Sequence, residues 1–394
     1  RTRASDFKTT NIRPPACAPV RGLSKELRLP YDWSAYKVFV FTPYRMTAAG
    51  PESITYGTAE FKAEVAGWLN ELRAEHEWVA VTPETSAQEI ARALDEARRR
   101  PVVVFNLCDG IEIDGYPGIE TVRALEKAGL AFTGAGHAFY AITTPKTVMK
   151  ARLLERGVST SPFVIIKDAA ADGAQAGAAL GYPLIIKPDV SAASFGISLK
   201  SVVHDEASCA AQAANALAGE RDLENYYEGV FAERFIPGRE FTVLCASDPT
   251  IEGGVFVYPP VERVFHSALP AHERLLSYDR YWEKYETESA LPDRAPIAHY
   301  ESAPAEWRSA LETLARNAYR ALDGVGYARV DIRRDERTGE FLVLEANCNC
   351  GLSTDGETSV SWILRLSGET MPGLLHRIFK DAVTRASATV PAIL

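Results

Sequence analysis

The sequence predicts an α/β protein in three parts: a doubly wound N-terminal domain, a small α+β central domain and an α+β C-terminal domain. Three observations carry this. Short apolar runs such as "YKVFVF" and "PVVVFNL" alternate with a stretch in which Phe61, Val65, Trp68, Leu69 and Leu72 recur at helical spacing, and such alternation builds a parallel sheet. An Ala/Gly-rich helical stretch is flanked by the strands "FVIIK" and "GYPLIIKPD". Finally, "YARVDIRR" and "EFLVLEAN" flank the turn "DERTGE" and read as a hairpin.

In order, residues 1–35 read as an irregular, proline-bearing arm containing "NIRPPACAP". Residues 36–144 form the first domain: strand "YKVFVF", a helix through Phe61–Leu72, strand "WVAVT", a helix opened by a Ser86–Glu89 capping box, strand "PVVVFNL", a helix over Ile119–Lys127 and strand "LAFTG". Residues 145–235 form the second. Thr144 serves as N-cap with Pro145 at the first helical position, and the helix ends at Gly157. Strands "FVIIK", "GYPLIIKPD", "ISLKSVV" and "GVFAERF" surround two further helices. Residues 236–394 hold "REFTVLCA", "GVFVY", a loop rich in charge and tyrosine over 267–289, a helix over Pro304–Leu322, the hairpin and C-terminal helices.

Composition narrows the function classes. A chain of 394 residues has room for two or three domains, and 46% hydrophobic with 24% charged residues is ordinary for a globular protein. The formal net charge is −9, and the one basic cluster, "EARRRP", reads as a helix end. Nucleic acid is not an expected partner. No apolar run approaches the ~20 residues of a membrane span, so no membrane partner is expected, and no signal peptide is visible. The chain opens on Arg1 rather than Met, which leaves room for a preceding segment. Six cysteines scattered along the chain lack a disulfide-framework spacing and suggest free thiols in a cytoplasmic setting.

The hairpin carries the chemistry. With the turn centred near Arg337–Thr338, Asp331 lies opposite Glu345 and Arg329 opposite Asn347. Period-2 geometry then puts these four on one face, and Val330, Ile332, Leu342 and Leu344 on the other. Two carboxylates and an amide oxygen are hard ligands suited to Mg²⁺, which shares its coordination with phosphates. Two other readings remain open here. Arg329 and the acids can form a plain salt bridge, or Cys348 and Cys350 can supply sulfur ligands, for which no second cysteine pair exists. Lys187 ends an apolar strand and needs an anion or water. The small-residue loop "DVSAASFG" after it, with Ser194 and Gly196, suits close approach of backbone N–H groups to phosphate. Lys146 opens a helix, whose start favours anions and disfavours a cation, so this lysine is either simply solvated or reaches across to a bound phosphate. Glu233 and Glu240, at adjoining strand ends in "VFAERFIPGREFTV", can accept from an adenine amino group or ribose hydroxyls, or be solvated turn charges.

In this order the pieces resemble the ATP-grasp superfamily and, within it, the D-alanine–D-alanine ligase group. The resemblance spans about 38–380, strongest in "LCDGIEIDGYPGIETVRALEKAGLAFTGAG", "GYPLIIKP", "AERFIPGREFTV", "ARVDI" and "LEANCNCGLS". It implies an ATP-grasp fold with ATP between the last two domains. Lys146 and Lys187 would hold the ATP phosphates, beside Ser194 of the phosphate loop. Glu233, Arg234, Phe235 and Ile236 would line the adenine pocket, and Glu240 would bind ribose. Asp331, Glu345 and Asn347 would ligate two Mg²⁺ ions, with Mn²⁺ as a possible substitute. Arg329 and the Gly351 N–H would stabilise an oxyanion. "SYDRYWEKY" resembles the family's mobile loop, with Lys284 reaching the γ-phosphate and Tyr285 closing the site, although it is one residue longer than the pattern. The implied reaction makes an amide through an acylphosphate. Homodimers are common in such families.

The departures cluster at the substrate end. No glycine-rich motif with its amino-binding glutamate is recognisable in "FTPYRMTAAGPES", where Glu52 is the available acid. Asp109 replaces a histidine, Ala193 the first of two serines, and Pro145 the Asp of an Asp-Lys pair. "GLSTDGETSV" lacks the usual serine arrangement, leaving Ser353 and Asp355 as substrate candidates. The expectation is a carboxylate–amine ligase for small molecules, an amino-acid or natural-product ligase. D-alanine–D-alanine ligation proper, a regulatory ATP-binding module and an ATP-grasp kinase are the alternatives. Asp109 and Asp355 suit a substrate with a free amino or guanidino group.

Overall fold

Seven residues of near-continuous burial make β1 (Lys37–Pro43) the centre of the first sheet. After it come a small hairpin, β2 (Arg45–Thr47) and β3 (Gly50–Glu52), then α1 (Ala59–Glu71), β4 (Glu75–Val81), α2 (Ser86–Ala97), β5 (Val102–Asn106), α3 (Ile119–Ala128) and α4 (His137–Thr143). The sheet order is β4-β1-β5, parallel throughout, as alternation requires. The computed structural model describes residues 31–53, 56–112, 114–219, 229–356 and 358–389. The arm expected over 1–35 lies outside these up to residue 30.

Three local expectations change here. "LAFTG" makes one parallel bridge, Val104 to Phe132, because Gly134 turns into the left-handed region (φ 89°) and α4 starts soon after. The capping box does not form. Thr85 is the N-cap, and the buried Ser86 hydroxyl instead sits 3.0 Å from Thr121 Oγ1 on α3. The next helix, α5 (Lys146–Glu155), is capped at Pro145 rather than Thr144, because the Thr144 hydroxyl donates back to the Tyr140 carbonyl at 2.9 Å.

The second sheet uses β6 (Phe163–Ile166), α6 (Ala171–Leu180), β7 (Leu184–Pro188), β8 (Val202–Val203), α7 (Glu206–Leu217) and β9 (Val230–Arg234). It is antiparallel in the order β6-β9-β7-β8, with Ala176, Cys209 and Ala213 packed against it. The middle of the expected strand "ISLKSVV" is instead a 3₁₀ turn over Leu199–Ser201, leaving β8 two residues long. The third sheet has β10 (Gly238–Ser247), β11 (Val255–Val257), β12 (Val261–Phe265), α8 (Tyr278–Tyr281), β13 (Ala298–Ser302), α9 (Ala305–Ala321), β14 (Tyr327–Asp335) and β15 (Phe341–Cys348), followed by α10 (Ser359–Ser367) and α11 (Met371–Thr389). Its order is β13-β12-β10-β14-β15, with β11 on β10.

The β14–β15 hairpin fixes which residues face the site. Arg329 pairs with Asn347 and Asp331 with Glu345, but the register then shifts and Ile332 faces Val343. That bulge reconciles a turn centred at Arg337–Thr338 with the carboxylate pairing. It also corrects the inner face. Val343 and Ala346, not Leu342 and Leu344, join Val330 and Ile332 in the apolar cluster shared with Phe39, Val104, Leu153 and Leu311. The outer face is left polar. No helix among the described residues is long and apolar enough to cross a membrane.

Candidate active site

Four residues converge on the outer face of β14–β15. Arg329 grips Asp331 through Nη2 (2.9 Å) and Nε (3.1 and 3.2 Å). The Asn347 amide nitrogen donates to Asp331 at 3.0 Å and to Glu345 at 3.2 Å. Thr242 of β10 donates to Asp331 at 2.9 Å. Burial raises the Asp331 carboxyl above its usual value and the Glu345 charge adds to this, against Arg329. Burial also opposes ionisation of Glu345, but Lys146, Lys187 and Arg329 outweigh it and hold that group low. The two carboxylates thus share one network of donors, a position that a divalent cation can enter.

The salt bridge left open above is present, and so is the oxygen donor set. Among the described residues no three His, Cys, Asp or Glu side chains cluster closely enough to hold a metal by themselves. Two carboxylates and an amide whose oxygen can be turned inward, completed by phosphate and water, instead fit the habits of Mg²⁺. Sulfur ligation does not fit. Among the described residues Cys348 and Cys350 have no further His, Cys, Asp or Glu beside them to complete a sulfur site.

The lysines surround a buried acid. Glu233, at the end of β9, pairs with Lys187 of β7. On its other oxygen, Lys150 of α5 stands at 2.6 Å as a second ion-pair partner. The Lys150 and Glu233 side chains are each 1% exposed. Burial favours a neutral Glu233, but the two ammonium groups hold its carboxyl below the ordinary range. Burial lowers Lys146 and Lys150. Glu233, expected to meet adenine, is thus first the counter-ion of two lysines. Lys146 donates to the Ser191 carbonyl at 2.7 Å and hydroxyl at 3.2 Å. Asp189 occupies the start of α5, accepting from Thr147 N (2.7 Å) and its hydroxyl (2.9 Å).

In the loop after β7, Ala193 and Ser194 both take left-handed φ, 49° and 62°, which turns successive backbone N–H groups into a concave, anion-suited arrangement. Residues 267–289 pack on this loop. Tyr278 N donates to Ile197 O at 2.8 Å, Trp282 Nε1 to Ala193 O at 3.3 Å and Leu199 N to Glu288 at 3.0 Å. Asp279 braces the segment by accepting from Thr287 N (2.7 Å) and Glu288 N (2.9 Å). Lys284 is exposed and donates to the Tyr278 phenol at 2.8 Å, while Tyr285 is half-buried with φ 48°. The structure does not bring Lys284 to the other lysines.

At the other end, Glu240 is buried between Arg263 and Arg333, accepting from the latter at 2.9 and 3.0 Å. Burial works against its charge, and the two guanidinium groups overcome it. Arg333 also donates to the Ile236 carbonyl at 2.9 Å. Phe235 and Ile236 are buried, and Arg234 reaches Asp335 at 3.4 Å.

Among the substrate candidates, Asp109 follows β5 and accepts from the buried Tyr56 phenol at 2.6 Å. Its protein surroundings push the carboxyl up to about 6, while the solvent access it keeps argues for a smaller rise. Ser353 is buried and bonded to Glu64 of α1 at 3.1 Å. Asp355 and Gly351 are exposed, with open space around the Gly351 α-carbon. Glu52 pairs with Arg45 across the β2–β3 hairpin at 3.0 Å, away from the residues above.

Sequence reasoning missed Lys150, Asp189, Arg263, Arg333, Tyr56 and Glu64. Two had a signal. Lys150 lies one helical turn after Lys146, beside the buried Met149 and Leu153. Arg333 continues the period-2 series of Arg329 and Asp331. The others meet the site only through pairings between distant segments.

A family model described as the D-ala D-ala ligase C-terminus matches residues 153–380. The uncharacterized protein y4sG of Sinorhizobium fredii is 31% identical over 264 residues, 66% of this chain and 69% of that protein. A D-alanine–D-alanine ligase of a Synechococcus strain is 28% identical over 271 residues, 67% of this chain and 72% of its own. The crystal structure of the D-alanine–D-alanine ligase from Bacillus anthracis complexed with ATP superposes with a TM-score of 0.61 over 90% of this chain and 99% of that one, at 17% identity, a likeness of fold. The chain belongs to the D-alanine–D-alanine ligase family and is an ATP-grasp enzyme of the class that joins carbon to nitrogen.

Proposed function

We propose that the protein activates a small carboxylate with ATP and joins it to an amine other than the second of two D-alanines, releasing ADP and phosphate. The observation that carries this is the outer face of β14–β15, where Arg329, Asp331, Glu345 and Asn347 share hydrogen bonds, with the Lys146 and Lys187 charges acting on Glu345.

In this reading ATP lies between the central sheet, within 145–235, and the C-terminal sheet, within 236–394. Lys146, Lys187 and the N–H groups at Ala193–Ser194 hold its phosphates. Phe235 and Ile236 flank adenine, and Glu240 faces ribose once Arg263 and Arg333 have oriented it. Asp331, Glu345 and Asn347 would hold Mg²⁺, which supplies positive charge against the phosphates when bound. A substrate carboxylate oxygen takes the γ-phosphoryl group and ADP leaves. The neutral amine then attacks the acyl carbon. Arg329 and the Gly351 N–H support the oxyanion, the C–O bond to phosphate breaks, and phosphate departs as the nitrogen loses a proton. Chemistry of this kind rests on positioning and charge. Lys284 contributes only after its side chain leaves the Tyr278 phenol, within the 267–289 segment.

Asp109, ionised and held by Tyr56, suits a substrate bearing an amino or guanidino group. The test is phosphate release from ATP and Mg²⁺ against D- and L-amino acids and amines, singly and in pairs, with product mass and Glu345→Ala as blank. Release that needs two substrates, with a product lighter by one water than their sum, is expected. ADP without free phosphate would mark a kinase, and preference for anionic acceptors would overturn the role given to Asp109.

A further inference from the structure

The loop after β15 is held by a carboxylate from the other end of the chain. Glu64, in the middle of α1, accepts from the Ser353 hydroxyl at 3.1 and 3.3 Å and from both the backbone N–H and the hydroxyl of Thr354. Three donors from two consecutive residues thus converge on one side-chain carboxylate, 289 and 290 residues away in sequence. They begin two residues beyond Gly351, on the segment that continues directly from the Glu345–Asn347 strand. The loop is fastened on its other flank too, where Asn349 accepts from Ala135 N at 2.8 Å. Its tip, Thr354 and Asp355, is exposed.

Convergent hydroxyl and backbone N–H donors of this kind are what proteins use to hold carboxylates. Here the chain fills the niche with its own acid. A carboxylate brought by the amine substrate would find those donors taken and would meet the charges of Glu64 and Asp355. We infer that Glu64 is a specificity-determining residue: a built-in carboxylate that occupies a carboxylate-binding niche beside the reaction face and selects amines that carry no carboxylate near the reacting nitrogen. The inference rests on the ligase reading for its substrate class but not for the niche, and the two parts are tested apart.

The niche is tested without turnover, by titrating sodium acetate at constant ionic strength into wild-type protein, Glu64→Ala and Glu64→Ala/Ser353→Ala. Binding is read by calorimetry and by the shift in Tm, with circular dichroism checking the fold. Saturable binding is expected to Glu64→Ala, at least tenfold weaker binding to the double variant, and none at this niche in the wild type. Should Glu64→Ala not fold, Glu64→Gln takes its place, the amide being a poorer acceptor that acetate can displace. Absence of saturable acetate binding to a folded variant would overturn the niche, leaving Glu64 as a tie between α1 and the loop. Specificity is tested by kcat/KM for an amino acid against its primary amide as acceptor. The wild type should prefer the amide at least tenfold, and Glu64→Gln should shrink that ratio at least tenfold; a tie alone would lower both rates together. An unchanged ratio overturns the specificity role. If no acceptor pair releases phosphate while acetate still binds Glu64→Ala, it is the ligase reading that has failed.

Discussion

Glu233→Ala should lower the stability of the protein by about 3–5 kcal/mol, the range for breaking a buried ion pair from one side. The reason is geometric. Lys150 and Glu233 are almost without solvent contact, and Lys187 completes the group. Removing the acid leaves the Lys150 ammonium, 1% exposed, without its ion-pair partner and close to the charge of Lys187. Urea unfolding of the wild type and the variant measures it. A double change, Lys150→Met with Glu233→Gln, should cost less than Glu233→Ala alone, because the most buried charge goes with its partner. The same triad sets a pH dependence. The folded Glu233 carboxyl is held below its ordinary value by Lys150 and Lys187 against the effect of burial. Its contribution is therefore fully present above the unfolded carboxylate pKa of about 4.3 and fades as pH falls through the folded value. Glu233→Gln should flatten that acid limb.

Arg329→Met should lower kcat by about 100- to 1000-fold, the scale found on removing one donor from an oxyanion. The guanidinium lies on the face where the acyl carbon is expected, and its Asp331 partner keeps it fixed. Nucleotide binding should change much less, because Lys146 and Lys187 stay in place. Single-turnover rates beside ATP-analogue binding separate the two. A variant that loses binding and rate together would show that Arg329 mainly holds Asp331 in position.

How far the sequence leads can be read residue by residue. β1 and β5 were legible because parallel strands buried on both faces are apolar nearly throughout, and the hairpin because its alternation brackets a polar turn. The pairing of Asp331 with Glu345 was legible from counting alone. The bulge was not, since nothing in "EFLVLEAN" marks which residue is extra, and for that reason Leu342 was expected on the inner face where Val343 stands, while Ala346, on the near side of the bulge, keeps the period-2 face. Ser86 looked like a cap until its hydroxyl was buried against Thr121, a contact made by packing of α2 on α3. The charged partners of the expected site residues were hidden for a related reason. Glu240 meets Arg263 only because β10 and β12 pair, with Glu240 opposite Arg263, and Glu64 meets Thr354 only because the first and last thirds of the chain fold together. A motif names the residue that touches the ligand; the groups that hold it come from tertiary contacts.

The acylphosphate is tested most directly with oxygen-18. Once the phosphate-release panel has identified a substrate pair, the carboxylate substrate is labelled at both oxygens and the products are weighed. Acylphosphate chemistry predicts one labelled oxygen in the released phosphate for each amide formed, and the other retained in the amide carbonyl. Phosphate free of label, with amide still accumulating, would contradict phosphorylation of the carboxylate and with it the roles proposed for Lys146, Lys187, Arg329 and the Asp331–Glu345 pair.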